Sequence, residues 1–272
     1  MSSRFHKLLL ACVASLFAGG FISVRAVAET PSLRICADPD NLPYSNSSLG
    51  GFDNQIAALL ARDIGRKPVF VWARSRRGFL RERFNKGACD VLMGVPEGMK
   101  HVQTTVPYYR SSYVFVTRSR EHLHIASFDD PVLDNKRIGL QILESDYSPP
   151  SLPLIRAGHT AQLVGYEPFG REAGSIVRAV ADKKIGVAVI WGPLAGYYAR
   201  KQSVPLSLAA VSPSIDRSGI PFVFNITAAV HSKDTDLAEK LNRAIREDAA
   251  KIDRILRAYN VPQLPLTKDG GA

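Results

Sequence analysis

The sequence predicts an α/β protein of two lobes, each a mainly parallel sheet flanked by helices. Three features predict it. Strand-like and helix-like segments alternate as β-α-β-α-β between residues 33 and 95. A second alternation runs between residues 137 and 198. Extended apolar segments at 114–117 and 220–226 lie on either side of that second set. Alternation of this kind implies parallel strands with right-handed crossovers. Two separate alternations imply two sheets.

The elements follow in chain order. Leu33-Arg34-Ile35-Cys36-Ala37 reads as a strand that runs into a turn-forming loop, Asp38-Pro39-Asp40-Asn41-Leu42-Pro43-Tyr44. Gly51-Phe52-Asp53 leads into a helix in which Ile56, Leu59, Leu60 and Ile64 recur at helical spacing and Gly65 is the stop. Pro68–Trp72 is a second strand. Residues 76–87 read as a second helix, with Phe79, Leu80 and Phe84 on one face and Gly87 as its stop. Val91–Val95 is a third strand. Val114–Thr117 is extended, and Phe128-Asp129-Asp130-Pro131 signals a turn and a helix start. Arg137–Leu140 reads as a strand that ends in Gln141. Residues 175–183 form a helix. Val187–Ile190 is a buried strand that runs through Trp191-Gly192-Pro193 into a helix ending near Tyr198. Ile220–Ile226 returns to the first lobe. Asp236–Tyr259 reads as one helix striped by Leu237, Leu241, Ile245, Ile252, Ile255 and Leu256, with Asp234 and Thr235 able to cap it. The tail from residue 266 to 272 is expected to be disordered.

The first 28 residues have the grammar of an export signal. Arg4 and Lys7 precede the uncharged run Leu8–Val24, and Ala26-Val27-Ala28 offers a small-residue cleavage site. Cleavage after Ala28 is expected to release a periplasmic protein with no membrane span. It removes Arg4, Lys7, Arg25 and no acid, so the formal charge falls from +10 to +7. Much of that charge lies in Arg74, Arg76, Arg77, Arg81, Arg83 and Lys86. This stretch reads as a solvated face or as a docking patch for an acidic partner. The export address and the absence of an aromatic or helix-turn-helix pattern argue against nucleic acid. Of three cysteines, Cys12 leaves with the signal, and Cys36 and Cys89 remain for an oxidising compartment. They read as a disulfide because their strands are neighbours in this topology, the alternative being two buried free thiols.

Ligands on parallel sheets lie beyond the carboxyl ends of the strands. That directs attention to the loops Asp38–Tyr44, Trp72–Arg77 and Gly94–Gly98, with Val95 between the last two glycines. Aromatic side chains near the expected cleft are Tyr44, Phe52, Trp72, Tyr113, Tyr147 and Trp191. They form either an apolar cavity or lobe packing. Asp38 and Gln141 are polar candidates at strand ends, and Arg77 is a charged one. No G-x-S-x-G, Walker loop or G-x-G-x-x-G is present, and the histidines are scattered. No enzymatic activity, cofactor or metal is expected.

Leu33–Asp38, Gly51-Phe52-Asp53, Gly87–Val91, Pro107-Tyr108-Tyr109 and Pro193 followed by Tyr197-Tyr198 together resemble the type II periplasmic solute-binding fold. Cys36–Pro43, Arg76–Phe79, Cys89–Pro96, Tyr108–Val116 and Trp191–Tyr197 resemble, more narrowly, the MoxJ/XoxJ-type proteins. These are quinoprotein-dehydrogenase-associated substrate-binding proteins of ABC-transporter type. The resemblance implies two lobes joined by two crossing strands, lobe one being 32–116 plus 222–265 and lobe two 117–221. It also implies an accessory role toward a periplasmic quinoprotein (methanol) dehydrogenase; the protein itself is expected to be a monomer. Amino-acid binders of the wider fold hold the ligand carboxylate with an arginine where this chain has Gly98. They hold the ammonium with an acid where this chain has Gly192. A buried zwitterion without counter-charges carries a large desolvation cost, so free amino acids are not the expected ligands.

Overall fold

The computed structural model describes residues 29–75, 78–143 and 146–266. The expected signal segment 1–28, Arg77 and nearly all of the expected tail 266–272 lie outside the described residues.

Lobe one begins with β1 (Ser32–Ala37), the short pair β2 (Asp40–Asn41) and β3 (Ser45–Asn46), α1 (Phe52–Asp63) and β4 (Lys67–Trp72). It continues through β5 (Val91–Pro96) and β6 (Val102–Thr104) into the long β7 (Tyr109–Arg118). Lobe two adds β8 (Ile138–Leu143), β9 (Asp146–Tyr147), α2 (Ser151–Arg156), β10 (Leu163–Tyr166) and α3 (Ser175–Ala181). It is completed by β11 (Val187–Trp191), α4 (Gly192–Ala199) and β12 (Leu206–Ala210). The chain then returns through β13 (Val223–His231) to α5 (Thr235–Glu247) and α6 (Ala249–Ala258).

The strands lie along one path in the order β10-β8-β11-β7-β13-β5-β1-β4. In lobe one β4, β1 and β5 are parallel, and in lobe two β10, β8 and β11 are. The strand β7 links the two. Its first residues, Tyr109–Ser112, pair with β13, whereas Tyr113–Arg118 pair with β11 and β12.

Periodicity explains the burial on both sides of the β8-β11-β7 part of the sheet. Val114, Val116, Ala188 and Ile190 pack under α3 and α4, with Val177, Val180 and Leu194. The alternate residues Phe115, Val187 and Val189 face Phe128, Leu154 and Phe222 on the other side. Strands covered on both faces read as continuous apolar runs, as 187–190 does. Lobe one has a core of its own, with Ile35, Phe52, Ile56 and Leu60 packed against Leu241 and Leu256. Among the described residues no helix is long and apolar enough to cross a membrane.

Two helices differ from the sequence reading. In the segment expected as a helix over 76–87, the described residues hold one short helical stretch, Leu80–Phe84. Gly78 and Gly87 both have positive φ and leave little room for regular turns between them. The helix expected over 236–259 is broken at Asp248, where φ is −98° and ψ is 12°. The buried Asp248 carboxylate binds Lys251 Nζ at 2.6 Å and faces the Asp63 carboxyl at the end of α1. The apolar stripe carries on across the break, through Ile245, Ile252 and Leu256, so spacing alone reads as one helix.

Asp234 caps α5 by accepting from the Leu237 N–H. Asp234→Ala is expected to cost about 1 kcal/mol, read as a shift of the urea midpoint with unchanged slope.

Candidate functional site

A cavity of about 560 Å³ lies at the carboxyl ends of β1 and β5. A second hollow of about 300 Å³ shares Asn41, Tyr44, Gly94, Phe169 and Trp191 with it. Both lobes contribute: Tyr44, Gly94 and Tyr109 come from the first, Phe169 and Trp191 from the second. Together the two hollows form the cleft.

The structure brings most of the sequence candidates to this place. Asp38, Tyr44, Gly94, Val95 and Trp191 line the larger cavity, and Tyr113 and Gln141 line the smaller. Trp191 ends β11 and meets Tyr113 and Phe224 edge-on, with ring centres 5.5 and 5.7 Å away. Gln141 is tied into the frame, since its Oε1 accepts from the Trp191 backbone N–H at 3.0 Å. Asp38 is tied likewise. Its Oδ1 accepts from the Asp40 N–H at 2.9 Å and its Oδ2 from the Ser75 N–H at 2.6 Å. Its carboxylate therefore holds the loops after β1 and β4 together.

Two candidates stand elsewhere. Phe52 is fully buried in the lobe-one core, touching Tyr44, Tyr109 and Tyr259 edge-on. It is the first residue of α1, and that helix turns it inward toward the sheet. Trp72 stacks on Phe70 and is 36% exposed. Phe70 lines the cavity, whereas Trp72, on the same face of β4 and stacked against Phe70, sits at the exposed end of the strand and does not line it. Arg77 lies outside the described residues. Tyr147 belongs to β9, which pairs with β8 at Ile142.

Sequence reasoning missed Asp53 and Tyr108. The Gly51-Phe52-Asp53 run was legible only as a helix start. Asp53 is 7% exposed and lines the cavity. Its Oδ1 accepts from the Tyr108 hydroxyl at 2.8 Å, and that hydroxyl accepts in turn from the Gly94 N–H at 2.9 Å. Burial pushes the Asp53 carboxyl up to about 7, against which the Tyr108 hydrogen bond works only in part. Tyr108→Phe removes the bridging hydroxyl and leaves the Gly94 N–H without its partner. The expected cost is about 1–3 kcal/mol, measured as a fall in chemical stability.

The glycine at 192 is decided by packing. A Cβ there would lie 2.7 Å from the Ser112 carbonyl oxygen and 2.9 Å from Ser111 Oγ. The backbone thus leaves no room for an acidic side chain at the start of α4. Cys36 and Cys89 are joined as a disulfide, with Cα atoms 5.5 Å apart and Phe84 packed against them.

The sequence profile of the bacterial extracellular solute-binding proteins, family 3, matches residues 33–261. The chain belongs to this family. As a family 3 solute-binding protein it is one of a group that works outside the cytoplasm. It is 29% identical over 257 residues to "Protein MoxJ" of Paracoccus denitrificans, which covers 88% of this chain and 92% of that one. The crystal structure of MxaJ from Methlophaga aminisulfidivorans MPT superposes with a TM-score of 0.76 at 30% identity, covering 86% of this chain and all of that one. The periplasmic binding protein XoxJ of Methylobacterium extorquens AM1 gives 0.72 at 33% identity, with the same coverages. The similarity to each therefore runs through both lobes of this solute-binding protein.

Proposed function

We propose that the mature chain, released after Ala28, is a monomeric, non-catalytic periplasmic accessory protein of a pyrroloquinoline-quinone-dependent methanol or alcohol dehydrogenase. It acts by binding that enzyme or a segment of it during maturation or activation. The observation that carries this reading is the match to MoxJ, MxaJ and XoxJ over nearly the full length of the described fold. The division into lobes at 32–116 plus 222–265 and 117–221 belongs to the same proposal.

Two surfaces serve the binding in this reading. One is the cleft, with Tyr44, Tyr113 and Trp191 presenting an aromatic wall. The other is the basic stretch before and after the short helical segment, where Arg74, Arg83 and Lys86 are exposed. The cavity volume, about 560 Å³, lies in the range of small-molecule sites. It favours, as a second reading, an ABC-transporter substrate-binding protein for a small solute other than a free amino acid.

The experiment is to mix the mature chain with the apo-dehydrogenase and follow co-elution and the recovery of dye-linked alcohol oxidation. Association with a gain in activity supports the accessory role. No association, together with normal dehydrogenase activity in a deletion strain, overturns it.

A further inference from the structure

The cleft has an uneven charge inventory. Among the described residues, Asp38 and Asp53 are the charged side chains lining either hollow, and no Lys, Arg or His joins them. The two acids are not equivalent. Both Asp38 oxygens are taken by backbone N–H groups. Asp53 spends Oδ1 on Tyr108, and its Oδ2 has no hydrogen-bond partner among the described residues. That oxygen lies 3.0 Å from where a Cβ on Gly94 would stand, so the bare glycine keeps the space beside it open.

Around this half-used carboxylate the cavity is aromatic. Tyr44, Phe70, Phe79, Tyr109, Phe169 and Trp191 all line it. Aromatic faces attract cations, most strongly where water is excluded. A nine-tenths-buried carboxylate with one empty acceptor also costs free energy until a donor or a positive charge reaches it.

We propose that the cleft binds an organic cation, a substituted ammonium group, whose charge is met by Asp53 Oδ2 and whose alkyl part is enclosed by the aromatic wall. The inference deepens the binding role given to this cleft and rests on it. It does not depend on which enzyme the chain assists. The same ammonium chemistry could be carried by a free small amine or by a lysine side chain of a partner's segment.

The groups facing Asp53 sharpen the expectation. Tyr44, Tyr108 and Tyr109 are each pushed well above the usual phenol range, chiefly by burial, and stay neutral. Asp38 is the other acid of the cavity. Cation binding therefore tracks the ionisation of Asp53 itself. It strengthens as pH rises through about 7 and weakens below it.

The test is titration calorimetry on the mature chain at pH 8 and pH 5.5. The probes are choline, its neutral isostere 3,3-dimethylbutanol, the zwitterion glycine betaine, and acetylated tripeptide amides carrying central lysine or norleucine. Choline or the lysine peptide is expected to bind at least about ten-fold more tightly than its neutral counterpart at pH 8, a charge preference lost at pH 5.5. Asp53→Asn keeps an acceptor for Tyr108 and is expected to abolish the preference while a thermal melt shows an intact fold. Preference for choline alone assigns a free amine, and preference for the lysine peptide assigns a protein segment. Equal affinity for charged and neutral probes, an unchanged Asp53→Asn variant, or no binding of either cation overturns the inference. Co-elution with the dehydrogenase is read separately, so either reading can fail without the other.

Discussion

Loss of the Cys36–Cys89 bond is expected to lower the stability of the chain by up to about 4 kcal/mol. The bond closes a sequence separation of 53 residues, and the chain-entropy model gives that figure as a ceiling for a loop of this size. The loop spans α1, β4 and the Leu80–Phe84 segment, so most of the first β-α-β-α-β unit is held at its two ends. Packing adds to the effect. Cys89 and Phe84 are fully buried, and Cys36 is nearly so. Phe84 also stacks on His231, whose Nε2 lies 2.9 Å from the Cys89 carbonyl oxygen. The Cys36→Ala/Cys89→Ala double variant therefore loses the cross-link and leaves a void against Phe84. Its urea midpoint is expected to fall by more than about 1 M. The native protein is expected to resist dithiothreitol without denaturant, because the sulfurs are covered. A double variant whose midpoint moves by less than about 0.3 M would remove the bond from the account of stability.

Asp53→Asn is expected to stabilise the protein at alkaline pH and to do so less at acid pH. The carboxyl is raised from 3.8 to about 7 in the folded chain, with burial as the main cause. The folded state thus holds the proton more tightly than the unfolded one. By linkage, wild-type stability is fully present below about pH 4 and falls as pH rises through about 7. A tenfold change in proton affinity is worth about 1.4 kcal/mol, which makes the full penalty at most about 4 kcal/mol. Asp53 sits in the first turn of α1, where the helix N-terminus favours a negative charge and reduces the penalty. Between pH 5 and pH 8 the wild type is expected to lose about 2–3 kcal/mol relative to the asparagine variant. Paired urea titrations at the two pH values measure this, and groups common to both proteins cancel. A stability difference that stays constant with pH would place the ionisation of Asp53 in the ordinary carboxylate range.

Both expectations bear on function through the same lobe. The disulfide fixes the frame from which β1 and β5 present Asp38 and Gly94. Asp53 is the group in that frame left with unspent bonding capacity. A protein that keeps a costly buried carboxylate at an aromatic cleft gives up stability at the place where a ligand can restore it.

The alternation of strands and helices, the apolar runs at 114–117 and 187–190 and the export grammar were legible because each depends on neighbours a few residues apart. So was Trp191 at the end of a strand, since parallel sheets place ligands there. Phe169 gave no signal, because it lies in irregular chain that only folding brings into the same cavity as Tyr44. Phe52 and Trp72 looked alike as aromatics near loops, but the inward turn of α1 buries one, and the other is stacked on Phe70 at the exposed end of β4, outside the cavity lining. By itself the sequence determined the two-lobed α/β class, the cysteine pair as a candidate bridge and the lack of charged anchors at Gly98 and Gly192. The tertiary structure decided that Gly192 has no room for an acid, that Asp38 is consumed by backbone donors and that Asp53 is not. The physical reason is that hydrogen-bond satisfaction and burial are set by atoms distant in sequence: Tyr108 and Gly94 reach Asp53 only once β5 and the start of β7 lie beside α1.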